Sequence, residues 1–119
     1  MGLNAHTRLW VENENGEVVF GSGRVRILEA VARTGSLNKA AREMGMSYRT
    51  IWGRIRDTER RLGVKLLKRP AGGMRGGSIL TPPGSLLLER FKEWRARVIE
   101  FSDGLFDRLI AAEIERLKE

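Results

Sequence analysis

Apolar positions along the 119-residue chain follow two periods, one of a strand and one of helices. Near the N-terminus Leu9 and Val11 alternate with polar neighbours, and Val18 to Phe20 return after Asn15-Gly16, a favoured two-residue turn; residues 6–20 are therefore expected to form a β-hairpin. A hairpin is marginal alone, and Trp10 and Phe20 are its expected anchors onto the following helix or a second subunit. After the Gly21-Ser22-Gly23 break, a helix starting at Ser22 or Gly23 carries Val25, Leu28 and Val31 on one face with Ile27 beside it. That spacing predicts the supporting first helix of a three-helix core.

Two further helices follow across a tight turn. Ser36 is placed to cap a helix containing Leu37, Ala40, Ala41 and Met44, where the two alanines let a neighbour cross closely. Gly45 supplies the positive-φ residue of a sharp turn, and Ser47 caps the next helix. There Ile51, Ile55, Thr58 and Leu62 recur at offsets of four, three and four, one buried face. Tyr48, Arg49, Thr50, Gly53, Arg54, Asp57 and Arg61 are left facing outward, whereas Trp52, between Ile51 and Gly53, is expected to pack into the core. Residues 36–62 thus read as a helix-turn-helix, whose capped, cationic second helix suits the major groove.

Beyond Gly63, Leu66-Leu67 and Ile79-Leu80 form two short apolar strands around a Gly-rich loop, the pattern of a wing over residues 64–81. Lys68, Arg69 and Arg75 would then lie along the phosphate backbone or dip into the minor groove. A nucleotide-binding loop is a poor alternative, because Gly76-Gly77-Ser78 lacks the Gly-Lys-Ser/Thr ending; an inert flexible loop is the other. Thr81 can cap a last helix with Pro82 and Pro83 in its first turn. Leu87, Phe91, Trp94, Val98, Phe101 and Leu105 make a heptad-like seam along it, continued by Phe106, Ile110, Ile114 and Leu117 after an interruption at Ser102-Asp103-Gly104. If unbroken, this helix reaches roughly 54 Å, at about 1.5 Å per residue, more than a small core covers. Homodimerisation through residues 82–119 is the expectation, against a fold-back at Gly104 that would bury the stripe internally.

Charge sharpens this picture. Residues 23–81 carry fourteen Lys or Arg against four Asp or Glu, whereas residues 1–22 net −2 and residues 82–119 net −1 within a total of +7. Arginines that were merely solvated would not need such confinement, and a local basic patch is the footprint of a phosphate-binding surface. The length suits one small domain plus an extension, with no room for a second ligand-binding domain. Cysteine is absent and His6 is the lone histidine, so no thiolate chemistry, histidine triad, metal site or cofactor is expected, nor any catalysis. The longest apolar runs are too short for a signal peptide or membrane span, so a soluble, cytoplasmic protein is expected.

The stretch GRVRILEAVARTGSLNKAAREMGMSYRTIW, followed by GGMRGGSILTPPG, resembles the N-terminal domain of ModE-type molybdenum-responsive transcription regulators. Its landmarks are Gly23-Arg24, Thr34-Gly35-Ser36, Ala40-Ala41, Gly45 to Arg49, Trp52 and the wing ending at Leu80-Thr81. RLGVKLLKR is also similar to the related LysR-type winged-helix domains. The resemblance implies that Tyr48, Arg49, Thr50, Gly53 and Arg54, next to the cap Ser47, lie on the exposed start of a recognition helix, and that Ser36 and Asn38 approach phosphates. Oxyanion-sensing members carry a C-terminal molybdate-binding portion, for which this chain has no room, so molybdate or tungstate sensing is not expected of it alone. The reading is a mainly α, small-β winged helix-turn-helix. Residues 1–81 would bind double-stranded DNA and residues 82–119 pair two copies, giving a sequence-specific regulator that occludes or organises a promoter. A sequence-indifferent architectural protein and a protein-binding adaptor are the alternatives.

Overall fold

Helix α1, Ser22–Thr34, is buried along nearly its whole apolar face: Val25, Ile27, Leu28 and Val31 lose all contact with solvent and Ala30 almost all. The computed structural model describes residues 2–71 and 77–119. Around α1 pack α2 (Leu37–Glu43), α3 (Tyr48–Leu62) and α4 (Pro82–Phe106), together with strands β2 (Val18–Gly21) and β4 (Ile79–Leu80). The result is a winged helix-turn-helix, mostly helical, with two small antiparallel sheets, β1 (Trp10–Glu12) with β2 and β3 (Leu67–Lys68) with β4.

Local chemistry sets the helix boundaries. Gly35, at φ 74°, takes the left-handed conformation that ends α1 and returns its N–H to the Val31 carbonyl. Ser36 Oγ then accepts the Lys39 amide at 3.2 Å, and Ser47 Oγ accepts the Thr50 amide at 3.1 Å, so both helices of the pair begin with a filled cap. Gly45, at φ 65°, makes the turn between them. Ala40 and Ala41 are buried where α2 meets its neighbours, as their small size requires for close crossing.

The hairpin differs from its expected form in its turn and its extent. A two-residue turn at Asn15-Gly16 needs positive φ at both residues, but among the described residues positive φ occurs at glycine alone. The Gly16 amide bonds the Asn13 carbonyl at 3.0 Å, the Asn13 amide bonds the Glu17 carbonyl at 2.9 Å, and Gly16 has φ 78°: a three-residue loop with glycine at its last position. Asn13 Oδ1 accepts from the amides of both Asn15 and Glu17, and this side-chain bridge is what favours the longer loop. The paired residues are Trp10–Glu12 and Val18–Gly21, short of the 6–20 span expected. Of the two expected anchors only Phe20 serves within the chain, buried with its ring 5.3 Å from that of Phe91 on α4; Trp10 is 53% exposed and donates to Glu12 at 2.8 Å.

The last helix also departs from expectation, because Ser102-Asp103-Gly104 does not interrupt it. Helix α4 runs through these residues, widens into a π-helical stretch at Asp107–Ala111 and resumes as α5, Ala112–Leu117. No fold-back occurs at Gly104, and the molecule extends to 66 × 31 × 23 Å. At its start Thr81 Oγ1 accepts the Gly84 amide at 3.0 Å, with Pro82 and Pro83 in the first turn. Lys92 pairs with Glu29 of α1 at 3.0 Å and holds the proximal half of α4 onto the core.

Gly84 makes this approach possible, since a Cβ there would lie 2.3 Å from the Leu66 carbonyl oxygen. Helix propensity alone favours alanine over glycine by about 1 kcal/mol, but forcing a methyl against a backbone carbonyl costs about 1–3 kcal/mol. Gly84→Ala is therefore expected to destabilise the protein by up to about 2 kcal/mol, read as a lower urea midpoint with unchanged slope. An unchanged or raised midpoint would show that the α4 start can move away from the wing.

Candidate nucleic-acid interface

Helix α3 sorts its side chains by period. Ile51, Ile55 and Thr58 are buried with Glu59, and Leu62 packs partly against the core. The opposite ridge is polar: Arg49 is exposed, and at Gly53 even an added Cβ would meet nothing within 4 Å. A glycine at the middle of this outward ridge lets another surface approach the helix backbone. Ser47 and Thr50 are exposed and tied together, the Ser47 hydroxyl donating to Thr50 Oγ1 at 2.9 Å, so the cap of the helix is locked at the end where base edges would be met.

The remaining sequence-predicted residues divide between two flanks. On the hairpin side lie Arg54 and Arg61. Arg54 is exposed, but Arg61 is not free as expected: its Nη1 donates to the Val18 carbonyl at 2.9 Å, its Nη2 pairs with Glu17 at 3.3 Å, and its buried Nε has no partner. Arg61 is thus the strut between α3 and the hairpin. Arg24 joins this group from the first turn of α1, donating through Nε to Thr58 Oγ1 at 3.0 Å. Its pKa is pushed below the usual arginine value, chiefly by burial and then by the charges of Arg54 and Arg61, with Asp57 opposing. Guanidinium groups gathered this closely give the hairpin flank a concentrated positive potential.

On the other flank α3 faces the wing. Tyr48 is 51% exposed at the helix start, and Lys68 and Arg69 are exposed across a cleft of about 340 Å³ that separates the recognition helix from β3. Trp52 lies here, 46% exposed, and not in the core as the sequence suggested; its place on the helix falls one step past the buried edge marked by Ile55 and Glu59. Asn38 is exposed in the first turn of α2, while Ser36 is half buried and occupied as the cap. Arg75 lies outside the described residues.

One buried group, absent from the sequence-based candidates, holds the recognition helix and the wing in register. Glu59, 9% exposed, directs Oε2 at the Leu66 amide (2.8 Å) and the Leu67 amide (3.2 Å), while Lys65 Nζ stands 3.8 Å from Oε1. A carboxylate is unexpected among the buried residues of a helix, but here it replaces the strand partner that the start of β3 lacks. Within a run of charged residues, its periodic coincidence with Ile51, Ile55 and Leu62 was the available clue.

A capped recognition helix with a polar ridge, a supporting helix crossing behind it and a basic wing beside it define a DNA-binding winged helix-turn-helix module. Residues 23–85 match the family described as bacterial regulatory helix-turn-helix protein, lysR family, and the chain belongs to that family. It is similar to the molybdenum-pterin-binding protein MopB of Rhodobacter capsulatus, 38% identical over 73 residues (60% of this chain, 27% of MopB). It is also similar to the molybdenum transport protein ModE of Azotobacter vinelandii, 41% identical over 98 residues (81% of this chain, 33% of ModE). Among solved structures, the CbnR DNA-binding domain in complex with DNA superposes with a TM-score of 0.53 at 30% identity, over 76% of this chain and 95% of that one. The chain spans a third or less of the length of these two curated relatives. Its fold is that of a lysR-family DNA-binding domain, and among its described residues no helix is long and apolar enough to cross a membrane.

Removing the Glu59 carboxylate strands the Leu66 and Leu67 amides. Glu59→Ala is expected to cost about 2–6 kcal/mol, given about 1–3 kcal/mol for each of the two amides left without a partner, and Glu59→Gln, whose one carbonyl oxygen can still accept both amides but without the charge, clearly less. Thermal or urea unfolding checks the order wild type, Gln, Ala. Equal stability of all three would mean that water satisfies the wing amides.

Proposed function

We propose that the protein is a sequence-specific, homodimeric transcription regulator that reads the major groove with the start of α3. The observation that carries this reading is the outward ridge at the capped end of α3, where Arg49 stands exposed one turn before the bare backbone of Gly53, with Tyr48 and Arg54 on either side. Arginine matches the O6 and N7 acceptors of guanine through two parallel N–H donors, and a helix carrying glycine at its centre can sit deep enough to use them. Ser36, Asn38, Lys68 and Arg69 are assigned to the phosphates, which set register and carry no sequence information.

The dimer is supported by what α4 and its continuation through α5 leave uncovered. Phe101 is 68% exposed, Leu109 64%, Leu117 76% and Trp94 41%. The radius of gyration is 18.5 Å, against about 13.5 Å for a compact domain of this length. Charge along the helix selects the orientation: residues 82–97 hold four cations and two carboxylates, and residues 98–107 hold three carboxylates and no cation. Antiparallel pairing of two copies sets the basic half of each against the acidic stretch of the other, whereas parallel pairing sets like against like. Leu87, Phe91, Trp94, Val98, Phe101 and Leu105 are the seam of this interface, Leu87 and Phe91 also being held by the chain's own core.

Two experiments test the two parts. Selection of duplexes from a random library at physiological salt, without added oxyanion, is expected to return a palindromic motif. Arg54→Ala is expected to lose about 1–3 kcal/mol on that motif and much less on scrambled DNA, whereas Lys68→Ala weakens both alike. Efficient capture with no enriched motif would establish the architectural alternative instead, and no capture the adaptor. Separately, sedimentation is expected to give a particle of twice 13.5 kDa, and Phe101→Glu, which places a charge in the seam, is expected to give monomers with undiminished helix content. A monomeric wild-type chain at micromolar concentration would remove the dimer from the proposal.

A further inference from the structure

Trp52 presents nearly half of its surface to solvent, and the Arg56 guanidinium lies over its ring with Cζ 5.2 Å from the ring centroid. A cation held over an aromatic face keeps its N–H groups directed outward in its own plane, where they remain available to an acceptor. The pair opens on the cleft between α3 and the wing, which Lys68 and Arg69 line from the far side. Among the described residues none of Arg56, Lys68 and Arg69 has an ion-pair partner. The carboxylate that lines the cleft, Glu59, is already engaged by the Leu66 and Leu67 amides. The cleft therefore combines a large apolar plate with three uncompensated cations. A nucleic-acid strand, in which apolar sugars alternate with anionic phosphates, is the ligand of matching chemistry.

We propose that this cleft grips one strand of the duplex, Trp52 lying against a deoxyribose and holding the Arg56 guanidinium at a phosphate, while Lys68 and Arg69 meet phosphates from the wing. Trp52 acts here as a positioning residue for Arg56, separate from the base-reading ridge at Arg49 and Gly53. The inference rests on the DNA-binding reading above and adds to it a backbone clamp on the wing side of α3. Because phosphates are the ligand, the clamp contributes equally on any sequence.

The test is the salt dependence of binding to a fluorescein-labelled duplex of arbitrary sequence, followed by anisotropy with the full chain and its variants. Each phosphate neutralised adds about 0.9 to the slope of log affinity against log salt, so Arg56→Ala is expected to flatten that slope by about one and weaken binding roughly tenfold. Trp52→Ala is expected to flatten it by a similar amount although it removes no charge. The double variant Trp52→Ala/Arg56→Ala should lose no more than either single one, and Trp52→Phe, which keeps an aromatic plate, should restore most of the slope. A merely structural role for Trp52 would not change the number of counterions released. If Trp52→Ala keeps the wild-type slope while the wild-type chain binds DNA, the clamp is overturned and the regulator reading stands; if the wild-type chain binds no duplex, both fall.

Discussion

Three elements that would otherwise be independent are tied together at the backbone of Lys65, Leu66 and Leu67. The Leu66 side chain is fully buried, worth about 2 kcal/mol, but it is the main-chain atoms around it that set the geometry. Glu59 from the recognition helix accepts the Leu66 and Leu67 amides. Thr81, at the end of the wing, donates its hydroxyl to the Lys65 carbonyl at 2.6 Å and its amide to the Leu66 carbonyl at 2.9 Å, while the same hydroxyl caps α4. Gly84 lets the first turn of α4 close over that carbonyl. Two-residue strands cannot hold a wing in place by their own ladder, and this junction does it for them.

That junction has a functional consequence. A winged helix meets DNA with two surfaces, and their separation must match the duplex. Here the separation is set by a carboxylate and a hydroxyl near the far end of α3, leaving the cleft beside Tyr48, Trp52 and Arg56 open. On the opposite flank Arg61 performs the equivalent task for the hairpin, bonding the Val18 carbonyl and Glu17. The recognition helix is thus braced on both sides by its last two turns, and its first two turns, with Arg49 and Gly53, are left clear.

The same bracing explains why α4 has two characters. Its proximal half is anchored through Phe91, which packs against Phe20 with the rings tilted by 57° and meets Trp94 edge-on at 5.5 Å, and through the Lys92–Glu29 pair. Its distal half rises beyond the core, touched by the N-terminal segment where Thr7 donates to Ser102 at 3.3 Å, and presents Phe101 to solvent, as the π-helical stretch and α5 that continue it present Leu109 and Leu117. Apolar surface of that kind, continuous with a packed seam, is what the proposed pairing of two copies would cover, and the charge gradient along the helix is what favours its antiparallel form.

The sequence by itself determined the elements whose cause is local. Ser36, Ser47 and Thr81 cap because a hydroxyl at that spot reaches an amide within the next turn; Gly35 and Gly45 turn because they can adopt positive φ; the period of Ile51 and Ile55 names the buried face. The basic patch and the resemblance to ModE-type regulators were legible for the same reason, since both are carried by residue identities in order. Tertiary structure decided what depends on residues distant in the chain. Trp52 was expected in the core on the strength of its neighbours, but the boundary between core and cleft is drawn by where the wing lies. Arg61 was expected to be free, until the hairpin brought it a carbonyl and a carboxylate from 43 and 44 positions away. Glu59 looked like one charge among many until the wing presented two amides with no other partner. Helix periodicity says which way a side chain points, and only the packed fold says what it meets there.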